Sequence, residues 1–268
     1  MADNRPIGVF DSGLGGLTVL KELRLALPEE DFIYFGDTGR VPYGGRSSET
    51  ITRYAREDAA FLLKNDVKLI IAACGTVSSI CGETLKEELP VPFAGVVEHG
   101  ARAAAQATKN GKIGILGTKG TIKSGAYERY LSKFATDAVC FSQACPMFVP
   151  LVENGYTKED DPVGLLVAEE YLAPLKEAGV DTLIMGCTHY PFLRQLLQRV
   201  MGEDVTLIDV GQTTAAYVKE ILAGLELTHS GQKQGNTALY ASDDLAHMSD
   251  FAASLLGEGL SPVQRVNL

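Results

Sequence analysis

Tryptophan is absent from this 268-residue chain, histidine occurs four times and cysteine five times. No cysteine pair has C-x-x-C spacing and the histidines are scattered, so the sequence offers no zinc-site pattern and no metal is expected. An odd cysteine count, with no secretory leader in "MADNRPIGVF", argues against a disulfide framework and for a reducing, cytoplasmic setting. Long apolar runs are also missing: no segment approaches the roughly 18 uninterrupted apolar residues of a membrane helix. Basic clusters are lacking too, with 24 Lys and Arg against 34 Asp and Glu and a net charge of −10. That balance disfavours a phosphate-binding surface of the kind nucleic acids need, and a soluble protein without nucleic-acid or membrane partners is expected.

What is present is apolar in short pieces. Hydrophobic residues make up 46% of the chain, and 28 glycines accompany them. Runs at 7–10, 32–36, 68–73, 93–97, 112–117, 138–143, 181–186 and 205–210 read as buried strands. Helical periodicity lies between them, as at 17–27, 49–65 and 163–179. Strand alternating with helix, with the strands apolar throughout, predicts a doubly wound α/β fold with parallel sheets covered on both faces.

Two pairs of segments repeat in the same order. "IGVFDSGLGGLT" at 7–18 matches "IGILGTKGTIKS" at 113–124, and "VKLIIAACGT" at 67–76 matches "VDTLIMGCTH" at 180–189. In the second pair each copy ends on a cysteine. A duplication predicts two pseudo-symmetric domains with a shared cleft beyond the carboxyl ends of their strands. "ALYASD" and "DLAHMSDFAASLLG" remain near the end of the chain. The expected division is a discontinuous first domain, 1–97 plus 210–268, and a second domain, 98–209.

Cys74 closes a strand and opens onto "GTVSSI", where small residues leave N–H groups free at a helix start. Such a position is expected to bind anions and lower the thiol pKa from about 8.5. Cys187 in "MGCTHYP" stands at the same place in the repeat, with His189 as a base partner or proton donor. Asp11, after the first strand in "FDSGLGG", is placed to accept a proton from Cys74 or to cap the turn. Asp37 and the "RVPYGG" loop do not make a dinucleotide motif. Tyr43, Gly44, Thr76, Thr121 and Thr188 offer hydroxyl or backbone donors at the cleft, or serve as turn and capping residues. Glu153 is either a cleft residue or an ordinary surface glutamate. Two thiols facing one carbon acid can take a proton from one side and return one on the other, which points to racemisation or epimerisation without a cofactor.

These residues resemble the glutamate racemases of the aspartate/glutamate racemase superfamily. The likeness runs through "IGVFDSGLGGLTVLKEL", "GDTGRVPYGGRS", "GTKGTIKSGAY", "CPMFVPLVE" and "MGCTHYPFL". It implies cofactor-free interconversion of L- and D-glutamate, a role in peptidoglycan synthesis and hence in cell-wall biogenesis and cell shape, and a homodimer. It also implies that Cys74, assisted by Asp11, acts on the D-enantiomer and that Cys187, assisted by His189, acts on the L-enantiomer. Substrate contacts would fall on Ser12, Tyr43, Gly44, Gly75, Thr76, Thr188 and His189. One departure falls inside the site: similar racemases usually carry Asn where this chain has Gly75. His99 and Val210 depart more mildly, from Pro and Ser. The rival readings are a relative acting on aspartate or another carboxylic substrate, and a regulatory binding protein that keeps the fold.

Overall fold

Branched apolar residues at every position of a short run suit a strand buried on both faces, and each predicted run forms one. In the computed structural model, which describes residues 3–231, 234–257 and 259–268, these are β1 (Ile7–Asp11), β2 (Phe32–Gly36), β3 (Leu69–Ala72), β4 (Phe93–Gly95), β5 (Lys112–Gly117), β6 (Val139–Ala144), β7 (Thr182–Met185) and β8 (Thr206–Asp209). Two further strands follow, β9 (Thr237–Ala241) and β10 (Gln264–Arg265). All pairings are parallel, in two sheets ordered β10-β9-β2-β1-β3-β4 and β6-β5-β7-β8.

The repeat is visible in this topology. The segment β2-β1-β3-β4 of the first sheet has the same order as β6-β5-β7-β8, the whole of the second. Equivalent hydrogen bonds close the two thiol-bearing strand ends: Ala73 N–H donates to Phe10 O at 2.9 Å, and Gly186 N–H donates to Leu116 O at 2.9 Å. Each half therefore presents its cysteine one residue beyond a matched backbone contact.

Helices cover both faces. The predicted ones are α1 (Leu17–Ala26), α2 (Ser48–Lys64) and α8 (Pro162–Ala178), and α8 begins with Asp161 accepting from the N–H groups of Val163 and Gly164 and with Pro162 in its first turn. That start is favoured because proline lacks the donor the first turn leaves unused. Helix α3 (Gly75–Glu88) begins at the first thiol, and α4 (Val96–Ala107) links the sheets. The others are α5 (Lys119–Ser124), α6 (Ala126–Phe134), α7 (Phe148–Glu153), α9 (Arg194–Met201), α10 (Val210–Gly224) and α11 (Leu245–Leu256). Helix α10 packs on α1 and α4, so one apolar cluster runs from Ile7 and Leu20 through Ala101 to Ile184 and Val218 across both halves. No helix among the described residues is long and apolar enough to cross a membrane.

Candidate active site

Residue types at the strand ends decide how each thiol is held. Cys74 is the N-cap of α3 and Ser78 N–H donates to its carbonyl at 2.9 Å, so the helix starts directly at the thiol. After Cys187 the chain instead takes a 3₁₀ turn, Tyr190–Leu193, with Pro191 in its first turn, before α9 begins. The second thiol thus sits on a turn and not at an α-helix start. That departs from the expectation of like settings, because Pro191 cannot donate the backbone bond a helix would need there.

Around Cys74 the environment is acidic and dry. Its thiol donates to Ser12 Oγ at 3.5 Å, and Asp11 is 1% exposed at the end of β1. Asp11 Oδ2 accepts from Gly13 N–H at 2.9 Å; the N-cap of α1 is Gly16, so the carboxylate braces the turn and not the helix start. Tyr34 lies below, its hydroxyl donating to Gly13 O at 2.8 Å. Burial, then the Asp11 carboxylate, pushes the Cys74 thiol up to about 12, and Cys187 adds to the rise; the Ser12 hydroxyl and the Val77 N–H oppose it. This reverses the expected lowering, because a helix N-terminus offers partial charges while burial beside a carboxylate opposes a full one. Burial also raises Asp11, against His189 and the N–H groups of the 12–16 turn.

Around Cys187 the partner is a cation. Its sulfur lies 4.0 Å from His189 Nδ1, and His189 Nε2 lies 3.3 Å from Glu153 Oε1. Burial would lower the imidazole, but Cys187 and Glu153, with Asp11 behind them, raise it to about 10. The same contact holds Glu153 below its ordinary value. At neutral pH the ring is an imidazolium, a cation 4.0 Å from the sulfur.

The remaining residues divide. Thr188 is buried and its carbonyl accepts from Thr18 Oγ1 at 2.9 Å, which ties the second thiol turn to α1. Thr76 Oγ1 meets Thr118 Oγ1 at 3.0 Å, and Thr118 Oγ1 donates to Thr121 Oγ1 at 3.1 Å, a hydroxyl chain crossing from α3 to α5. Thr121 is therefore engaged through Thr118, a residue that nothing in its local sequence singles out. The Tyr43 hydroxyl is turned away from the cleft. It is buried and donates to Asp37 and Asp58, with Arg40 paired to the same two carboxylates. That buried cluster binds the side chain inward, so only the backbone of Tyr43 is left for a ligand.

Gly44 and Glu153 share a cavity of about 350 Å³ with Thr118, Val149 and Cys145. Cys145 is fully buried and its thiol is raised by burial first and by Cys187 next. It lies near enough to the second thiol to feel its charge. Cys81 and Cys140 belong to packing, Cys81 donating to Val77 O at 3.4 Å. Gly15 is a further site residue that local pattern does not single out: a Cβ there would press on the Thr188 hydroxyl and, at 2.6 Å, on His189 Cε1, so only glycine lets the histidine lie over the Asp11 turn. "GLGG" signals a turn, but not what rests on it.

A parallel-sheet protein built of two like halves, with one thiol at each equivalent strand end, one beside a carboxylate and one beside an imidazolium, has the class features of an isomerase. The chain belongs to the Asp/Glu/Hydantoin racemase family, whose pattern it matches over residues 18–218. It is an amino-acid racemase, and its full-length relatives are glutamate racemases. That of Geobacter metallireducens is 48% identical over 98% of this chain and 97% of its own, and one from Thermus thermophilus is 46% identical over 98% and 96%. Among solved structures, glutamate racemase isoform RacE1 from Bacillus anthracis superposes with a TM-score of 0.95 at 37% identity, covering 99% of this chain and 98% of the other. An aspartate racemase from Picrophilus torridus, at 16% identity and a TM-score of 0.59, shares the fold alone.

Proposed function

We propose that this racemase interconverts L- and D-glutamate by passing the α-proton between two thiols. The observation that carries the reading is the unlike electrostatics of the two matched strand ends: a protonated Cys74 beside Asp11 and Ser12, and a Cys187 beside the His189 imidazolium. The free enzyme is then set for the L to D direction. The Cys187 thiolate removes the α-proton from L-glutamate, the electron pair passes into the substrate carboxylate, and the Cys74 thiol delivers its proton to the opposite face. Afterwards Cys187 holds a proton and Cys74 holds the charge, and D-glutamate is processed by the same steps reversed. The starting state is restored by proton exchange with solvent, Cys187 releasing the proton it holds and Cys74 taking one up, each beside its partner, His189 or Asp11.

N–H groups at the start of α3 and at residues 187–189 serve the substrate carboxylates, with Ser12, Thr76, Thr188 and the backbone at Gly44 around them. A relative from Francisella tularensis, 33% identical with a TM-score of 0.90, was solved in complex with D-glutamate, which supports this substrate. The protein is cytoplasmic, supplies D-glutamate for peptidoglycan and works as a homodimer, as its resemblance to glutamate racemases implies. The test is purified protein with L-glutamate, D-glutamate or L-aspartate, followed by circular dichroism without added pyridoxal phosphate. Conversion of both glutamate enantiomers to the racemate is expected; inertness toward glutamate with turnover of aspartate would overturn the assignment.

A further inference from the structure

Gly75 is the first residue of α3 and is buried against the other half of the molecule. Its φ lies outside the left-handed region, so conformational freedom does not explain the glycine. Space does. A Cβ built there would meet the Gly186 carbonyl oxygen well inside 3.0 Å, a separation Cβ atoms essentially never breach, with the Gly186 carbonyl carbon at 3.4 Å and Cys187 Cα at 3.8 Å. The obstacle is backbone, and it is held on its far side. Gly186 N–H is bonded to Leu116 O at 2.9 Å, and a Cβ at Gly186 would lie 3.0 Å from the Tyr127 ring. The carbonyl has no local retreat.

The same seam is tight on either side. A Cβ on Gly120 would lie 3.2 Å from Gly44 O and 3.4 Å from Thr76 Cγ2. Thr76 and Thr118 meet at 3.0 Å across it. Gly75 of one half and residues 186–187 of the other are therefore in backbone contact beside both thiols.

We propose that Gly75 is a positioning residue: its missing side chain lets the Gly186 peptide rest on the start of α3, and that contact sets the spacing of Cys74 and Cys187 across the substrate. The inference rests on the two-thiol reading above. It gives the glycine a role distinct from a lost substrate contact, since an amide at position 75 has no room while the seam is closed. A side chain there moves one half away from the other by a distance on the order of 1 Å, the scale at which misplaced reacting groups lose about 10²-fold in rate.

The test uses Gly75→Ala and Gly75→Asn with D- and L-glutamate in deuterium oxide. Both variants are expected to lose about 10- to 100-fold in kcat/KM, equally in the two directions because the enantiomers have equal free energy. The ratio of α-deuterium in recovered substrate to deuterium in inverted product is expected to rise several-fold, since a receding second thiol leaves the first to reprotonate the same face. That ratio does not depend on how much of the variant is folded. Wild-type rates and an unchanged ratio in Gly75→Ala, or a gain in kcat/KM in Gly75→Asn, overturn the proposal. If the unaltered protein racemises glutamate and these results are obtained, only the spacing role fails; if it does not, the assignment above fails first.

Discussion

The two thiol turns are copies that have diverged in charge. One residue before each cysteine, the same backbone bond closes the strand. Beyond it, the first copy has Asp11 at the end of β1, where the second has Gly117 at the end of β5. The first continues into an α-helix and the second into a 3₁₀ turn bearing His189. A symmetric pair would present two equal thiols. Here Cys74 lies beside a carboxylate and Cys187 beside an imidazolium, and the difference comes from second partners and not from the cysteines themselves.

The largest effect expected from breaking the pair is loss of either sulfur. Cys74→Ala and Cys187→Ala should each reduce racemisation by at least about 10³-fold in both directions, measured by circular dichroism, because neither half-reaction regenerates the other's starting state. Removing a partner should cost less. Asp11→Asn should lower kcat/KM by about 10²-fold. It should also raise the melting temperature at neutral pH: burial raises the Asp11 pKa, so its stability contribution is lost as pH rises, and the neutral amide is spared that loss.

Next comes Glu153→Gln. His189 is raised from 6.5 to about 10 in the folded protein, so its contribution to stability is complete below about 6.5 and is lost as pH rises through about 10. Glu153 is lowered from 4.5, so its contribution holds above that value and is lost as pH falls below it. Without the carboxylate the imidazolium is less favoured. The basic limb of the pH profile for L to D conversion and the alkaline limb of thermal stability should both move to lower pH. The smallest effect is away from the thiols. His99 is buried and stacked on Tyr217 at 3.7 Å, its Nδ1 has no hydrogen-bond partner, and burial pushes its pKa down to about 3. His99→Phe should leave kcat/KM unchanged and leave stability equal or higher by about 1 kcal/mol in denaturant titration.

Much of this was legible from residue order. Parallel strands buried on both faces announce themselves as unbroken apolar runs, so β1 to β8 were readable, and the shared cysteine marked the repeat. β10 was not, because Gln264 and Arg265 are exposed polar residues paired only at a sheet edge. Local pattern also hid whatever depended on distant convergence. Nothing near Tyr43 says that Asp58, fifteen residues on, will take its hydroxyl inward. The "CGT" sequence shows a helix start but not the Asp11 carboxylate and the burial that raise Cys74. Likewise Gly75 reads as a missing amide until Gly186 is seen against it. Position along a strand was legible; the field at its end needed the fold.

The division of labour between the two turns is tested most directly by following α-deuterium uptake into each glutamate enantiomer with the single-thiol variants in deuterium oxide. Cys74→Ala should still exchange L-glutamate and not D-glutamate, and Cys187→Ala should do the opposite, both without inversion. Equal exchange of both enantiomers by either variant would contradict a mechanism in which each thiol serves one face.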